Sequence, residues 1–237
     1  GVFDALTALL KSEDQETFRF TCAALCKLAS NETNCLEIAG KGAIPAMVIG
    51  ANRNGDPSQP LCCAVLTALS YYESCRELIL SNGALPAFMK LVTSHDDSTK
   101  QQCLMALANL SSEPSLQRVM VKAGVVRILG GLTNSYHEAN LVYTAKTLCN
   151  LASLPELQHS VAVQGGVHVI MMISMVWAVR AETKGHCLQA LLNLLTCDDC
   201  IDILLDEDLV VNAAHLCSKD DAEIFDRCAL IFNRIVK

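Results

Sequence analysis

The residues best suited to chemistry are thirteen cysteines, two of which form the short motif Cys197-Asp-Asp-Cys200. His215 and Cys217 follow about 15 to 20 residues later, so a zinc site is one alternative for this motif. A structural zinc site needs four ligands, however, and the pair lies where a helix is predicted to begin. We therefore expect Cys197 and Cys200 to be structural residues, with no metal and no redox chemistry.

The remaining reactive residues form no catalytic arrangement. His186 and Cys187 are adjacent, so on a helix their side chains point about 100° apart and cannot form a dyad. The sequence has no P-loop, no GxSxG, no HExxH and no Rossmann glycine pattern. We expect no enzyme activity and no cofactor.

The cysteines also indicate a compartment. Their number is odd, and they are spread through apolar runs, where a free cysteine behaves as a small buried hydrophobic residue. This distribution is unlike the disulfide framework of a small secreted protein. We expect a reducing, cytoplasmic location.

The composition excludes several classes of partner. Of 237 residues, 51% are apolar and 18% are charged, which is enough apolar material for a core and argues against disorder. The net charge is −7, whereas a general nucleic-acid binder needs a basic surface. The longest apolar stretch, residues 167–179, is shorter than the roughly 18–20 residues that span a bilayer. We expect neither a nucleic-acid partner nor direct membrane insertion.

Internal repeats determine the architecture. Short apolar segments of the type Ala-Leu-x-Asn-Leu recur at spacings of 41, 41, 41, 43 and 41 residues. Their last residues are Leu28, Leu69, Leu110, Leu151, Leu194 and Ile235. A second column holds Gly1, Gly42, Gly83, Gly124, Gly165 and then Asp208, and a third holds Thr21, Cys62, Cys103, Thr144, Cys187 and Cys228. The shared two-residue insertion lies around Trp177 to Lys184.

Each unit is predicted to be helical. From Gln101 to Leu110 the apolar residues follow the i, i+3, i+4, i+7 pattern of an amphipathic helix. Ser153 and Glu156 have capping-box spacing around an early proline. Asp97 and Ser12 are predicted N-caps. Hairpin signals are missing, and Asn54-Gly55 lies in a polar loop.

The residues from Asn82 to Leu91, followed by Gln101 to Ser111, closely resemble the armadillo repeat. In them a Gly-Ala-x-Pro segment opens a second helix, and Ala-Leu-Ala-Asn-Leu ends a third. The resemblance implies an all-α fold, a right-handed superhelical α-solenoid of about six three-helix units in a single domain, 1–237. The units are about 1–30 (partial), 31–70, 71–112, 113–153, 154–196 and 197–237. The last departs most, with Asp208 for glycine and Arg234 for asparagine.

The resemblance also implies a binding groove. In importin-α-like and β-catenin-like proteins, an asparagine of each third helix binds the main chain of an extended partner. The matching residues here are Asn109, Asn150 and Asn193. A carboxamide offers both a donor and an acceptor, which matches one peptide unit. The alternative is that these asparagines hold neighbouring repeats together.

Other groove candidates lie in the asparagine position or four to eight residues before it. They are Arg19, Lys27, Gln102, Met105, Tyr143, Lys146, His186 and Gln189. This mixture is polar and slightly basic, so it suits an acidic or neutral segment, although an ordinary solvated face would look similar. Importin-α-like proteins carry a tryptophan four residues before the asparagine, but the single Trp177 lies elsewhere. A receptor for basic nuclear-import signals is therefore not expected.

Two functions follow from the resemblance. The first is a non-enzymatic scaffold that binds an extended protein segment in the groove. The alternative is a structural subunit of a cytoskeletal or ciliary assembly, packed through its ends and convex face. A third possibility is a domain that regulates a distant module in a longer chain. Because Gly1 occupies a mid-repeat column, we expect the chain to be part of a longer protein or a complex.

Charge is uneven along the chain. Residues 197–237 hold ten acidic and four basic residues, a net charge of −6. Such a patch can attract a basic partner. It can equally serve only to keep a terminal unit soluble.

Overall fold

The protein is described by a computed structural model that covers residues 1–53, 55–132, 137–176, 179–218 and 220–236. These residues form seventeen α-helices and one short 3₁₀ helix, and they contain no strand. Contacts divide the chain into two compact units, residues 1–116 and 117–237. That the whole chain is one domain stays a prediction. Asn54, predicted in a polar loop, and Trp177, predicted at the two-residue insertion, lie outside the described residues.

The first unit contains two complete groups of three helices and the end of a third. Two helices come first, α1 (Val2–Leu9) and α2 (Gln15–Leu28). The first complete group is α3 (Glu32–Gly40), α4 (Ala43–Asn52) and α5 (Gln59–Ser70). The second is α6 (Glu73–Ser81), α7 (Ala84–Leu91) and α8 (Asp97–Ser111). The third helices α2, α5 and α8 pack side by side in that order.

The second unit repeats the pattern. Its first group is α9 (Pro114–Ala123), α10 (Val125–Gly130) and α11 (Glu138–Leu151), and the first three residues of α9 belong to the first unit. The next is α12 (Pro155–Val163), α13 (Gly166–Ser174) and α14 (Ala181–Leu194). The last has a 3₁₀ helix (Asp198–Cys200), α15 (Ile201–Asp206), α16 (Leu209–Leu216) and α17 (Ala222–Ile235). Again the third helices, α11, α14 and α17, lie side by side.

The glycine column marks the turn between the first and second helices. Gly42, Gly83, Gly124 and Gly165 have φ between 79° and 91°, in the left-handed region that a side chain disfavours. A glycine at each of these positions lets the chain end one helix and begin the next within one or two residues. Asp208 takes the same conformation in the last group, with φ 54°.

The third column lies in the core. Its six residues, Thr21, Cys62, Cys103, Thr144, Cys187 and Cys228, are at most 4% exposed. One column cysteine also contacts a cysteine of the neighbouring third helix. The Sγ atom of Cys103 on α8 lies 3.2 Å from that of Cys63 on α5. Cys187, which belongs to this column, is fully buried.

The helix caps differ from the sequence prediction by one or two residues. The N-caps of α2 and α8 are Asp14 and Asp96, whose carboxylates accept from the amides of Thr17 and Thr99. The predicted capping box at Ser153 is wrong. Its hydroxyl instead donates to the carbonyl oxygen of Asn150, because the turn brings it back to the end of α11.

A buried amide supports the turn at Asp208. The Nδ2 atom of Asn212 donates to the carbonyl oxygens of Glu207 and Asp208, each at 3.0 Å. Its Oδ1 atom accepts from the hydroxyl of Ser174 at 2.7 Å. Asn212 is 2% exposed, so a polar atom of its amide without a hydrogen-bond partner would destabilise the fold. This network fixes the one turn of this type that lacks glycine in the described chain.

Candidate protein-binding face

The exposed side of the third helices carries all the predicted groove residues except Arg19, which lies on α2 eight residues before Lys27. We call it the third-helix face and define it as the asparagine slot and the positions four and seven residues before it. These positions share one side of a helix because 3.6 residues make a turn. The slot residues are Lys27, Ala68, Asn109, Asn150, Asn193 and Arg234, and all are half-buried or exposed.

Three slot residues donate hydrogen bonds to the preceding third helix of the same unit. Asn109 Nδ2 donates to the hydroxyl of Ser70 at 3.1 Å, which joins α8 to α5. Asn193 Nδ2 donates to the carbonyl oxygen of Cys149 at 3.4 Å, which joins α14 to α11. In the same way, Arg234 Nη1 donates to the carbonyl oxygen of Leu192 at 2.9 Å. Part of the hydrogen-bonding capacity of the slot is therefore used between repeats.

The asparagine amides are also oriented locally. Gln189 Nε2 donates to Asn193 Oδ1 at 2.9 Å, so two side chains of α14 form a connected pair on the face. Asn150 is half-buried at the matching position of α11. Since each amide has two N–H groups and an oxygen with two lone pairs, one bond to a neighbouring helix leaves capacity for a ligand.

A hydroxyl follows each slot asparagine by three residues. Ser112, Ser153 and Thr196 donate to the carbonyl oxygens of Asn109, Asn150 and Asn193, each at 2.6 Å. These bonds satisfy carbonyl groups that a helix end would otherwise leave open. They hold the end of the helix, and with it the backbone that carries each asparagine.

Two predicted cations lie on the exposed side of α2. Arg19 and Lys27 are both exposed, and the Arg19 guanidinium lies 5.0 Å from the centre of the Phe20 ring. Phe20 is 62% exposed and occupies the position seven residues before the slot. Sequence reasoning chose the charged Arg19 and missed Phe20. The column seven before the slot, which contains Gln102, Tyr143 and His186, could have identified it.

Unit 2 has a small pocket beside this face. It measures about 340 Å³ and is lined by α14 and α17 residues that include Glu182, His186, Gln189 and Glu223. Arg227 lies at its wall, where Nη1 donates to the Gly185 carbonyl at 2.6 Å and Nη2 pairs with Glu223. Such a pocket can hold one side chain of a ligand.

The surroundings of His186, burial first among them, favour its neutral form. Burial lowers the pKa of this imidazole below its ordinary value, and the positive charges of Lys146 and Arg227 lower it further. Glu182 acts in the opposite direction. A neutral imidazole donates through one nitrogen and accepts through the other, so His186 is a hydrogen-bonding residue here. Tyr143 and Lys146 lie half-buried on the neighbouring α11.

Gln102 and Met105 lie half-buried on α8, next to Asn109. The Oε1 atom of Gln102 is buried and has no hydrogen-bond partner among the described residues. Met105 offers a flexible apolar contact.

Two pairs of cysteines are joined by hydrogen bonds in the last group, Cys200 with Cys197 and Cys228 with Cys217. Burial and, to a smaller extent, a hydrogen bond with Cys197 together raise the pKa of Cys200 to about 12. Burial likewise raises the pKa of Cys228 to about 12, with help from Cys217. In the described part of the chain, no three histidine, cysteine or carboxylate side chains are grouped so that they could hold a metal ion.

Comparison with known proteins identifies the fold. Residues 73–112, which contain α6, α7 and α8, match the family model "Armadillo/beta-catenin-like repeat". Computationally designed armadillo repeat proteins for modular peptide recognition superpose with a TM-score of 0.89 at 14% identity, over 98% of this chain and 99% of theirs. The chain has the fold of an armadillo-repeat solenoid.

Two further solved structures have the same fold. A designed armadillo repeat protein in complex with the peptide (KR)4 has a TM-score of 0.85 at 15% identity, with 99% of both chains covered. An engineered protein has a TM-score of 0.85 at 24% identity, over 100% of this chain and 97% of its own. No curated protein sequence matches the chain. Among the described residues, no helix is both long and apolar enough to cross a membrane.

Proposed function

We propose that this protein is a non-enzymatic scaffold that binds an extended segment of a partner protein on its third-helix face. Asn109, Asn150 and Asn193 would bind the main chain of that segment. The observation that carries the proposal is the position of these amides, which lie half-buried on exposed helix faces with their backbones fixed. The armadillo fold supports it, since a designed member holds a peptide.

The chemistry of the neighbouring residues supports an acidic or neutral segment. In unit 2 the face carries Lys146 and Arg234, whereas the pocket carboxylate Glu223 is paired with Arg227. The bond from Arg234 to Leu192 uses one of its five N–H groups, so its charge is available to a ligand. A main chain bound by the amides, with carboxylates at the cations, fits this arrangement.

The thirteen free cysteines support a reducing compartment, because nine of them are buried as thiols in helix packing. We therefore propose a cytoplasmic protein. Association with the cytoskeleton or a cilium belongs to the same proposal and requires localisation in cells to test it.

The test removes the three amides together. The triple variant Asn109→Ala, Asn150→Ala, Asn193→Ala is compared with the wild type in a quantitative pull-down, after circular dichroism has established that both are folded. The matched control is Asn52→Ala, Asn82→Ala, Asn233→Ala, which removes three exposed amides outside the proposed binding positions. Asn52 and Asn82 also donate to main-chain oxygens, so the control loses similar local bonds.

We expect partners that bind the control and the wild type but not the triple variant. Those partners should then bind as isolated peptides, with an affinity that falls by at least about tenfold in the triple variant, which is about 1.4 kcal/mol. Equal capture by all three proteins would reject the asparagine ladder and leave the inter-repeat bonds as the role of these residues.

One observation favours the alternative of a structural subunit. Val210 of α16 is 49% exposed, whereas its counterparts Val126 and Val167 in the same unit are 0% and 1% exposed. Exposed Leu205 and Ile201 lie on the neighbouring α15. Such a patch can pack against an assembly neighbour. Loss of capture on Val210→Asp, with capture kept in the asparagine triple variant, would favour this second function.

A further inference from the structure

The third-helix face changes character within unit 1. On α2 and α5 the face positions are Phe20, Ala23, Leu61, Ala64 and Ala68, together with the slot residue Lys27. All are half-buried or exposed, so an apolar surface is open to solvent there. In unit 2 the equivalent positions are mostly polar, as at Tyr143, Lys146 and His186. The apolar surface is continuous because α2 and α5 pack directly together.

An extended segment is poorly suited to this surface. Its peptide groups need hydrogen-bond partners when they lose water, and a buried group without one is costly. The slot residue of α5 is Ala68, which offers no polar group, and that of α2 is the exposed Lys27, which offers only donors. The ladder chemistry of Asn109 is therefore missing from α2 and α5.

A helix is better suited to this surface than an extended segment. It satisfies its own backbone hydrogen bonds, so it can bury an apolar face against a surface that offers none. The small side chains of Ala23, Ala64 and Ala68 allow a helix axis to come close, and Phe20 and Leu61 provide larger side chains to pack between its residues.

The charged residues of α2 beside this apolar surface determine which charge on a ligand is favoured. Arg19 and Lys27 are exposed, and neither forms an ion pair in the part of the chain that the structure describes. Glu16, one turn before Phe20, is the acidic residue on the same side of α2. Carboxylates on a bound helix would therefore be favoured beside Arg19 and Lys27 and disfavoured beside Glu16.

We infer that the α2–α5 part of the third-helix face binds an amphipathic helix of a partner protein, with aliphatic residues facing Phe20, Leu61 and Ala64. Acidic residues on the edge of that helix pair with Arg19 and Lys27. This inference goes beyond the proposed function, because it concerns a helical ligand and residues outside the asparagine ladder. Either can fail while the other holds.

The experiment uses the full chain and a display library of 20-residue segments on a helix-forming frame, with a second library of proline-containing extended segments as the comparison. Both are selected on the wild type and counter-selected on the double variant Phe20→Asp, Ala64→Arg. Both substitutions lie on solvent-accessible helix positions, and circular dichroism checks that the variant is folded.

We expect the helical library alone to yield binders that the counter-selection removes, with aliphatic residues at i, i+3, i+4 and i+7 and an acidic edge. Their affinity should fall at least tenfold on Phe20→Asp, Ala64→Arg. It should stay unchanged in the Asn109→Ala, Asn150→Ala, Asn193→Ala variant, which separates this inference from the asparagine ladder.

A charge reversal gives a second readout that does not depend on the apolar variants. Arg19→Glu, Lys27→Glu should weaken a selected acidic helix, and changing its edge carboxylates to lysine should restore binding to that variant. The inference is overturned if neither library gives binders that the counter-selection removes. It is also overturned if the extended library supplies the binders, or if charge reversal leaves binding unchanged.

Discussion

Asn193 and Cys149 are joined across two neighbouring third helices, because the Nδ2 atom of Asn193 donates to the carbonyl oxygen of Cys149 at 3.4 Å. Arg234 makes the equivalent bond one group later, to the carbonyl oxygen of Leu192 at 2.9 Å. The acceptor in each case is the residue before the slot of the preceding helix. The slot thus joins repeats even where the asparagine has been replaced.

This bond leads to a first prediction about stability. Asn193→Ala removes the donor to Cys149 and the acceptor for Gln189, so we expect unfolding to become easier by about 1–2 kcal/mol. Urea denaturation followed by circular dichroism measures the change. Asn233→Ala, an exposed position on α17, should stay within about 0.5 kcal/mol of the wild type. Equal effects at the two positions would contradict an inter-repeat role for Asn193.

Much of the fold could be predicted from the sequence because the core packing recurs at the same spacing as the sequence repeats. The column of Thr21, Cys62 and Cys103 is buried in every group, and its spacing sets the positions of the third helices. The left-handed turns at glycine follow from the same spacing. These features depend on a residue and its counterparts one repeat away, and a single sequence records that relationship.

The details of the candidate face were harder to predict. The bond from Asn109 to Ser70 depends on how two helices approach each other, which spacing does not give. The Ser153 hydroxyl could either accept from a backbone N–H at the start of α12 or donate to a carbonyl oxygen at the end of α11, and local geometry selected the second bond. Phe20 was not predicted, because a polar, charged groove was expected and Arg19 is the charged neighbour. The position seven residues before the slot is nevertheless accessible throughout the described chain.

The turn at Asp208 gives a second prediction. Its φ of 54° is unfavourable for a residue with a side chain, so Asp208→Gly should stabilise the protein by about 0.5–1 kcal/mol. The midpoint of urea denaturation reports the change. Asp208→Asn removes the charge but keeps a residue that tolerates this conformation, and therefore separates charge relief from backbone strain. A gain from asparagine as large as that from glycine would assign the effect to charge.

The reciprocal change provides the control in the same unit. Gly165 has φ 91°, and a Cβ built there meets no atom within 4 Å. Any destabilisation by Gly165→Ala must therefore come from the backbone conformation, and we expect about 1–2 kcal/mol. No loss of stability in Gly165→Ala would show that this turn adapts to a side chain.

The N-cap of α8 gives a prediction about pH. Hydrogen bonds from the side chain and the backbone of Thr99 lower the pKa of Asp96 below 3.8. Because the folded-state pKa is the lower one, the stabilisation from this carboxylate is complete above the unfolded pKa and is lost as pH falls through the folded pKa. We expect Asp96→Ala to cost about 1 kcal/mol at pH 7 and progressively less below pH 3.8.

Urea denaturation at several pH values between 7 and about 2.5 measures this loss, and Asp96→Asn is the informative comparison. Asparagine keeps an acceptor for the Thr99 amide but cannot ionise, so its difference from alanine should not change with pH. A difference between wild type and Asp96→Asn that stays constant down to the lowest pH would contradict the proposed role of the charge.

The cysteines give a last prediction, which concerns the accessibility of thiols in the folded protein. Nine cysteines are buried, and only Cys26, Cys149, Cys197 and Cys217 are partly accessible. Burial raises the pKa of Cys149 to about 11, which lowers its reactive thiolate fraction. A short pulse of iodoacetamide at pH 8, mapped by mass spectrometry, should therefore modify residues of this accessible group, and Cys149 should react slowly.

Cys63 and Cys103, whose Sγ atoms touch between α5 and α8, should react only when those helices separate in denaturant. If Cys63 reacted as fast as Cys197 in the native protein, the packing of α5 on α8 would have to open readily, and the apolar surface beside it would not be a fixed docking site.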